Sequence, residues 1–239
     1  MYSFESCVRY SEIGEDKRMT LNSLLNYFQD CATFHSESIG RGMEVLESIH
    51  RIWVLSSWQV CIRRYPRLCE KIEICTWPYA FKGFFGERNF VLKTEEGKIL
   101  AYANTIWTYL DVEKGRPARI SPEDVAAYVV EPALEMDYAP RKIALPSTME
   151  VQEAFQVMPH HLDTNHHVNN AQYVRMAQDY IPDDFTITQM RAEYKKQAVI
   201  RDRIIPHINR NEAGDTWVIA LCDEAGQAYA VVEFYGHFK

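Results

Sequence analysis

Residues 20–40 read TLNSLLNYFQDCATFHSESIG, and within them Leu21, Leu24, Leu25, Phe28, Cys31, Ala32 and Ile39 recur at intervals of three and four. That period places them on one stripe of a long helix. Thr20 can cap its start and Gly40 can stop it. A helix with a single apolar stripe needs a surface to cover, and the chain supplies one immediately downstream. Four runs, 52–62, 71–79, 84–94 and 99–112, are rich in β-branched and aromatic residues, the composition of strands on a half-buried pleated surface. Glu95, Glu96, Gly97 and Lys98 supply a turn between the last two. One helix stripe and one sheet face then bury each other.

The same order of elements returns in the second half. Tyr173, Val174, Ala177, Tyr180 and Ile181 repeat at helical spacing behind Asn169 and Asn170, both good caps, and Pro182 closes the element. Strand-like runs follow at 186–200, 203–210, 216–223 and 228–237. The hairpin over 95–101 has a counterpart over 224–230. Aligning Phe4 with Phe155 sets Glu12, Gly14 and Asp16 against Asp163, Asn165 and His167, which leaves the first half without an amide or an imidazole. On this duplication the second copy lacks 41–51 and part of its helix. Two such units can join their sheets and so remove exposed edges. The expected class is α+β, a tandem (double) hotdog in which each helix is wrapped by a curved antiparallel sheet. Pro122, Pro132, Pro140 and Pro146 favour an extended connection between the halves. The expected organisation is an N-terminal unit over 1–130, a linker over 131–148 and a C-terminal unit over 149–239.

Composition narrows the function. With 239 residues, 47% hydrophobic, the chain can bury a large core. Its apolar runs fall well short of the roughly 20 residues that span a bilayer, and residues 1–9 lack the basic-then-apolar order of a secretory signal. No membrane association is expected, and the expected location is cytoplasmic. The six cysteines show no paired spacing and read as reduced, packed thiols. A net charge of −7 argues against a nucleic-acid partner, which would demand clustered Lys and Arg.

The chemistry concentrates in HHLDTNHHVNN, residues 160–170. Asp163, Asn165 and His167 stand at alternate positions, which in an extended segment would point all three the same way, at the positive end of the following helix. His160, His161, His166 and His167 do not suggest a metal site, because neighbouring histidines in one loop converge poorly on one ion and no second ligand cluster lies nearby.

Asp163, Asn165, His167, Val168, Asn169, Asn170 and Tyr173 match without a gap the D-x-N-x-H-V-N-N-x-x-Y pattern of the acyl-acyl carrier protein thioesterases, and the chain strongly resembles that family. The segments 10–14, 24–29, 52–54 and 64–66 are similar to family segments in family order. The resemblance implies a double hotdog, hydrolysis of fatty acyl thioesters of acyl carrier protein, and no cofactor. It also implies a division of labour, with the first half holding the acyl chain, for which Leu24, Phe28, Trp53 and Trp58 are candidates. Thioester hydrolysis builds negative charge on the carbonyl oxygen. N–H groups near Asn169 and Asn170, with Asn165 or His167, would stabilise it. Asp163 would act as base toward water, or else attack the carbonyl itself. The sequence departs from the family at one place. Plant members carry a Glu after an E-Y-R-R run, whereas Glu193-Tyr194-Lys195-Lys196 is followed here by Gln197, which cannot accept a proton and would only position the water. Ala198 stands where those members have Cys, which excludes a Cys–His nucleophile there.

Arg63, Arg64 and Arg67, with Lys195 and Lys196, stand out on an acidic chain, and acyl carrier protein is itself acidic, so electrostatic docking is expected of them. The rival expectations are a hotdog acyl-CoA thioesterase and a noncatalytic acyl-binding protein. The chain is expected to be a monomer or a homodimer.

Overall fold

The computed structural model describes residues 1–238, and their contacts divide the chain into two compact units. Unit 1 comprises 1–56 and 62–138, and unit 2 comprises 57–61 and 139–239. Unit 1 runs β1 (Tyr2–Cys7), α1 (Leu21–Ser38), α2 (Met43–Ser48), β2 (Arg51–Ile62), β3 (Lys71–Lys82), β4 (Phe85–Thr94), β5 (Ile99–Asp111), the short β6 (Arg116–Pro117) and α3 (Pro122–Val125). Its antiparallel strands lie in the order β1-β3-β4-β5-β2. α1 forms as the apolar period predicts: Thr20 accepts the Ser23 N–H at 3.1 Å, and Leu21, Leu24, Leu25, Phe28, Cys31 and Ala32 are buried. Phe28 packs on Phe90 of β4, ring centroids 5.2 Å apart, and each such side chain contributes about 1.5–3 kcal/mol of burial.

Unit 2 contains β7 (Glu150–Val151), β8 (Phe155–Gln156), α4 (Asn170–Gln178), β9 (Phe185–Tyr194), β10 (Arg203–Arg210), β11 (Thr216–Cys222) and β12 (Ala228–Phe238). The order is β9-β12-β11-β10-β7, and the 57–61 portion of β2 pairs with β9, Ser57 opposite Glu193. Two boundaries of unit 2 differ by several residues from the sequence expectation. α4 ends at Gln178, ahead of Pro182, and β9 stops at Tyr194 instead of running to 200. The strand ends because the N–H groups of Lys195 and Lys196 both turn to the Tyr229 carbonyl, at 2.8 and 3.1 Å.

The duplication is written in backbone hydrogen bonds. Val8 N–H reaches Glu70 O at 3.0 Å as Val157 N–H reaches Asp202 O at 2.9 Å, and Met19 N–H reaches Pro66 O at 2.8 Å as Val168 N–H reaches Ala198 O at 3.0 Å. Lys17 and His166 share a left-handed φ, 60° and 61°, and so do Cys69 and Arg201, 63° and 69°. These pairings correct the Phe4-to-Phe155 alignment by two residues. Gly14, Asp16 and Arg18, not Glu12, Gly14 and Asp16, occupy the places of Asp163, Asn165 and His167. Unit 1 still lacks the acid, amide and imidazole set. α2 has no counterpart, and α4 has 9 residues against the 18 of α1.

The connecting stretch is not a loose tether. In unit 1 Trp77 Nε1 donates to Pro132 O at 2.9 Å, while Asn89 Oδ1 accepts the Leu134 N–H at 2.9 Å and the Tyr138 hydroxyl at 3.1 Å. In unit 2 Gln59 Oε1 accepts the Ala139 N–H at 2.9 Å, Arg191 donates to Pro140 O at 2.6 Å, and Glu193 Oε2 accepts the Ile143 N–H at 3.1 Å. Buried polar side chains on the sheets thus satisfy backbone groups of 131–143, as buried polar groups require. No helix among the described residues is long and apolar enough to cross a membrane.

Unit 1 also holds a buried guanidinium with no carboxylate partner among the described residues. Arg88, 7% exposed, donates to His35 Nδ1 at 2.9 Å and Thr76 Oγ1 at 3.1 Å, under the Tyr128 ring. His35 must then be neutral to accept. Its burial, the Arg88 charge and the N-terminal ammonium push its pKa down to about 4 from 6.5. A base with a depressed folded pKa gives stability that is full above its unfolded value and lost as pH falls toward its folded one. Measured by unfolding midpoint, the wild type is therefore expected to lose ground against His35→Gln, which keeps an acceptor, as pH falls from 6.5 to 4. A difference that stays constant across that window would show that His35 is not held neutral.

Candidate active site

The segment 163–167 is a closed turn, not an extended strand. Asp163 N–H donates to His167 O at 2.8 Å, His166 N–H donates to Asp163 O at 3.1 Å, and Leu162 pairs with Val168 across the turn. Asp163 and His167 are therefore brought opposite each other by turn closure, and Asn165 sits exposed at the tip. This corrects the expectation that a period of two would align all three. No hydrogen bond joins their side chains to one another among the described residues.

Asp163 holds the turn with one of its two oxygens. Its Oδ1 accepts the N–H groups of Asn165 at 2.8 Å and His167 at 3.2 Å, the local capping for which short acidic side chains are suited. Oδ2 has no such partner among the described residues. His167 is half-buried, and its Nδ1 is fully buried with no hydrogen-bond partner among the described residues. A buried imidazole nitrogen left unmatched costs about 1–3 kcal/mol.

α4 begins directly behind. Asn169 is its cap, Oδ1 accepting the Ala171 N–H at 2.9 Å. The Asn169 N–H is already spent on His161 O at 2.9 Å. Asn169 therefore has no backbone donor to spare, whereas the Asn170 N–H is among the first donors of the helix. His161 is a capping residue too: its Nδ1 accepts the Met158 N–H at 3.0 Å, as Glu12 accepts that of Arg9 at 2.8 Å in unit 1. Among the described residues no three His, Cys, Asp or Glu side chains converge to hold a metal ion.

Gln197 is exposed, and its neighbours lock its backbone beside the turn. Ala198 O accepts from Val168, Val199 forms a bridge with His167, and Ala198 N–H donates to the Tyr173 hydroxyl at 2.8 Å. Asp202 Oδ2 accepts the Val199 N–H at 3.0 Å. Neither the Tyr173 contact nor the role of Asp202 was read from the sequence. The duplication carried a signal for Asp202, because Glu70 accepts the Arg67 N–H at 2.9 Å at the equivalent place.

The other candidates scatter. Leu24 and Phe28 are core residues of α1, and Trp53 lies against Tyr109 and Phe81, centroids 4.7 and 6.0 Å away. Trp58 is buried and belongs to unit 2, not to the first half. Of the basic residues, Arg64 is bound to Glu70 at 2.8 Å, Lys196 to Asp223 at 2.8 Å, and Lys195 lies 3.6 Å from Glu193. Arg63, stacked 5.5 Å over Tyr102, and Arg67 have side-chain charges without a carboxylate partner among the described residues.

Residues 1–128 match the family model described as the acyl-ACP thioesterase N-terminal domain, and 144–231 match its C-terminal domain. A chloroplastic acyl-[acyl-carrier-protein] hydrolase of Cuphea viscosissima is 25% identical over 84% of this chain, which spans 52% of that protein. An oleoyl-acyl carrier protein thioesterase of Arabidopsis thaliana is 24% identical over 94% of the chain and 67% of its own length. The solved 12:0-ACP thioesterase from Umbellularia californica superposes with a TM-score of 0.88 at 20% identity, covering 100% of this chain and 97% of that one. An acyl-ACP thioesterase from Bacteroides thetaiotaomicron gives 0.83 at 20% identity, covering 98% and 97%. The double hotdog is thus the fold of this chain.

The turn geometry separates acceptor from charge. Asp163→Asn keeps an oxygen for both N–H groups and is expected to hold the wild-type unfolding midpoint. Asp163→Ala loses both bonds and is expected to cost about 1–2 kcal/mol. Equal losses in denaturant unfolding would show that the charge, not the acceptor geometry, holds the turn.

Proposed function

Because this chain belongs to the acyl-ACP thioesterase family, we propose that it hydrolyses the thioester between a fatty acyl chain and acyl carrier protein, giving a free fatty acid and the thiol of the carrier. The observation that carries the proposal is the unequal use of polar atoms in one turn. Asp163 commits Oδ1 to the backbone and keeps Oδ2 for a water, with the half-buried imidazole of His167 across the same turn.

In the proposed reaction a water oxygen attacks the thioester carbonyl carbon as Asp163 Oδ2 takes its proton. Negative charge builds on the carbonyl oxygen, where His167 and the Asn170 N–H at the positive start of α4 stabilise it. Collapse breaks the carbon–sulfur bond, and the proton held by Asp163 passes to the departing thiolate. Gln197 and Asn165 orient the water and the substrate through their amides, and neither needs to ionise. The reaction calls for no cofactor. Arg63 and Arg67 are the proposed steering charges for an acidic carrier. The proposal places the enzyme in the cytoplasm, a location that six free thiols support.

Gln197 motivates a second reading, a binder that holds acyl groups without turning them over. Thiol release from matched acyl-carrier-protein and acyl-CoA substrates separates these readings, with faster turnover of the carrier substrate expected. Asp163→Asn is expected to lower kcat by about 10²–10⁴; near-normal turnover in that soluble variant would remove Asp163 from the base role. Arg63→Glu with Arg67→Glu is expected to lower kcat/KM several-fold on the carrier substrate and leave short thioester mimics untouched, whereas equal loss on both would count against docking.

A further inference from the structure

The two units hold the same backbone crossing in chemically different ways. In each, the residue ahead of the helix donates its N–H to a carbonyl on the segment leaving the sheet, Pro66 in unit 1 and Ala198 in unit 2. Pro66 has no N–H to satisfy. Ala198 has one, is 0% exposed, and donates to the Tyr173 hydroxyl at 2.8 Å from within α4. The α1 residue at the place of Tyr173 is Leu24, buried and apolar. The unit that lacks the acid and imidazole thus uses a proline and a leucine, and the unit that has them uses an alanine and a tyrosine.

Proline and leucine are the less demanding solution. Proline removes the donor and restricts the chain before folding, whereas the alanine and tyrosine bury an amide and a phenol that must meet each other or cost about 1–3 kcal/mol. Unit 1 demonstrates that the crossing forms without them. The polar pair does something the apolar pair cannot: it ties α4 to the segment that carries Gln197 on one side of Ala198 and, on the other, Val199, which is bridged to His167. A proline at 198 would leave no such tie and would itself restrain Gln197.

We infer that Tyr173 is a positioning residue for the hydrolysis, its hydroxyl setting, through the Ala198 N–H, where Gln197 and His167 stand relative to the start of α4. The inference rests on the proposed thioesterase activity for its kinetic test and on the structure alone for its spectroscopic one.

Tyr173→Phe removes only the acceptor. It is expected to lower kcat on acyl-carrier-protein substrate about 10- to 100-fold, the scale of a small misplacement of reacting groups, with KM within about 3-fold of wild type on the same premise. In the same variant the His167 imidazole resonances are expected to shift, and exchange of the Ala198 amide to quicken, while core amides such as that of Val231 keep their protection. Tyr173→Phe combined with Ala198→Pro removes acceptor and donor together, as the leucine and proline of unit 1 do, and guards against a variant that simply folds poorly. Its unfolding midpoint is expected to return toward wild type while kcat stays low. Recovery of kcat together with the midpoint would reduce Tyr173 to a structural partner, and so would a Tyr173→Phe kcat within about 2-fold of wild type. Unchanged His167 resonances would overturn the tether whatever the site hydrolyses.

Discussion

One backbone hydrogen bond, from the residue ahead of a helix to the carbonyl of the segment leaving a sheet, sets the register on which the rest of each unit depends. Met19 to Pro66 and Val168 to Ala198 are its two instances. Burial of the helix stripe supplies most of the free energy, but an apolar stripe slides easily and does not by itself decide which turn of the helix faces which strand. The backbone bond does. In unit 2 it also brings the 197–199 segment beside the 163–167 turn, with Val199 bridged to His167, although the two stretches are distant in sequence.

Both sheets carry buried and half-buried polar side chains that do not belong to the candidate active site. Asn89 and Gln59 serve backbone groups of the connecting stretch, and so do Arg191 and Glu193. Arg191 is additionally paired with Glu233 at 2.6 Å. Such groups are unfavourable inside a protein unless every one is matched. Their matching explains how a proline-interrupted segment of little secondary structure is held to its sheets.

The duplicated units have diverged by length as well as by chemistry. The additional turns of α1 bring His35 over Arg88, and the strand position of Arg88 is taken in unit 2 by Trp217, which no long helix covers. A guanidinium without a carboxylate is tolerable there because a neutral imidazole, a hydroxyl and an aromatic face all present electron density to it. The same neutral imidazole links the stability of unit 1 to pH.

Much of this was legible in the residues. The three- and four-residue spacing from Leu21 to Ala32, the β-branched runs and the turn around Gly97 determined one helix packed on an antiparallel meander, and the Asp163 to Tyr173 pattern pointed to the family. These are local properties, written in period and in residue type. Tertiary structure alone decided that Asp163 and His167 meet across a closed turn, that the Asn169 N–H is already spent, that Arg64 and Lys196 are neutralised by Glu70 and Asp223, and that Tyr173 answers Ala198. Each of these depends on which group reaches a given donor or charge first, over separations from four residues at the turn to 27 between Lys196 and Asp223, and no periodicity records that competition.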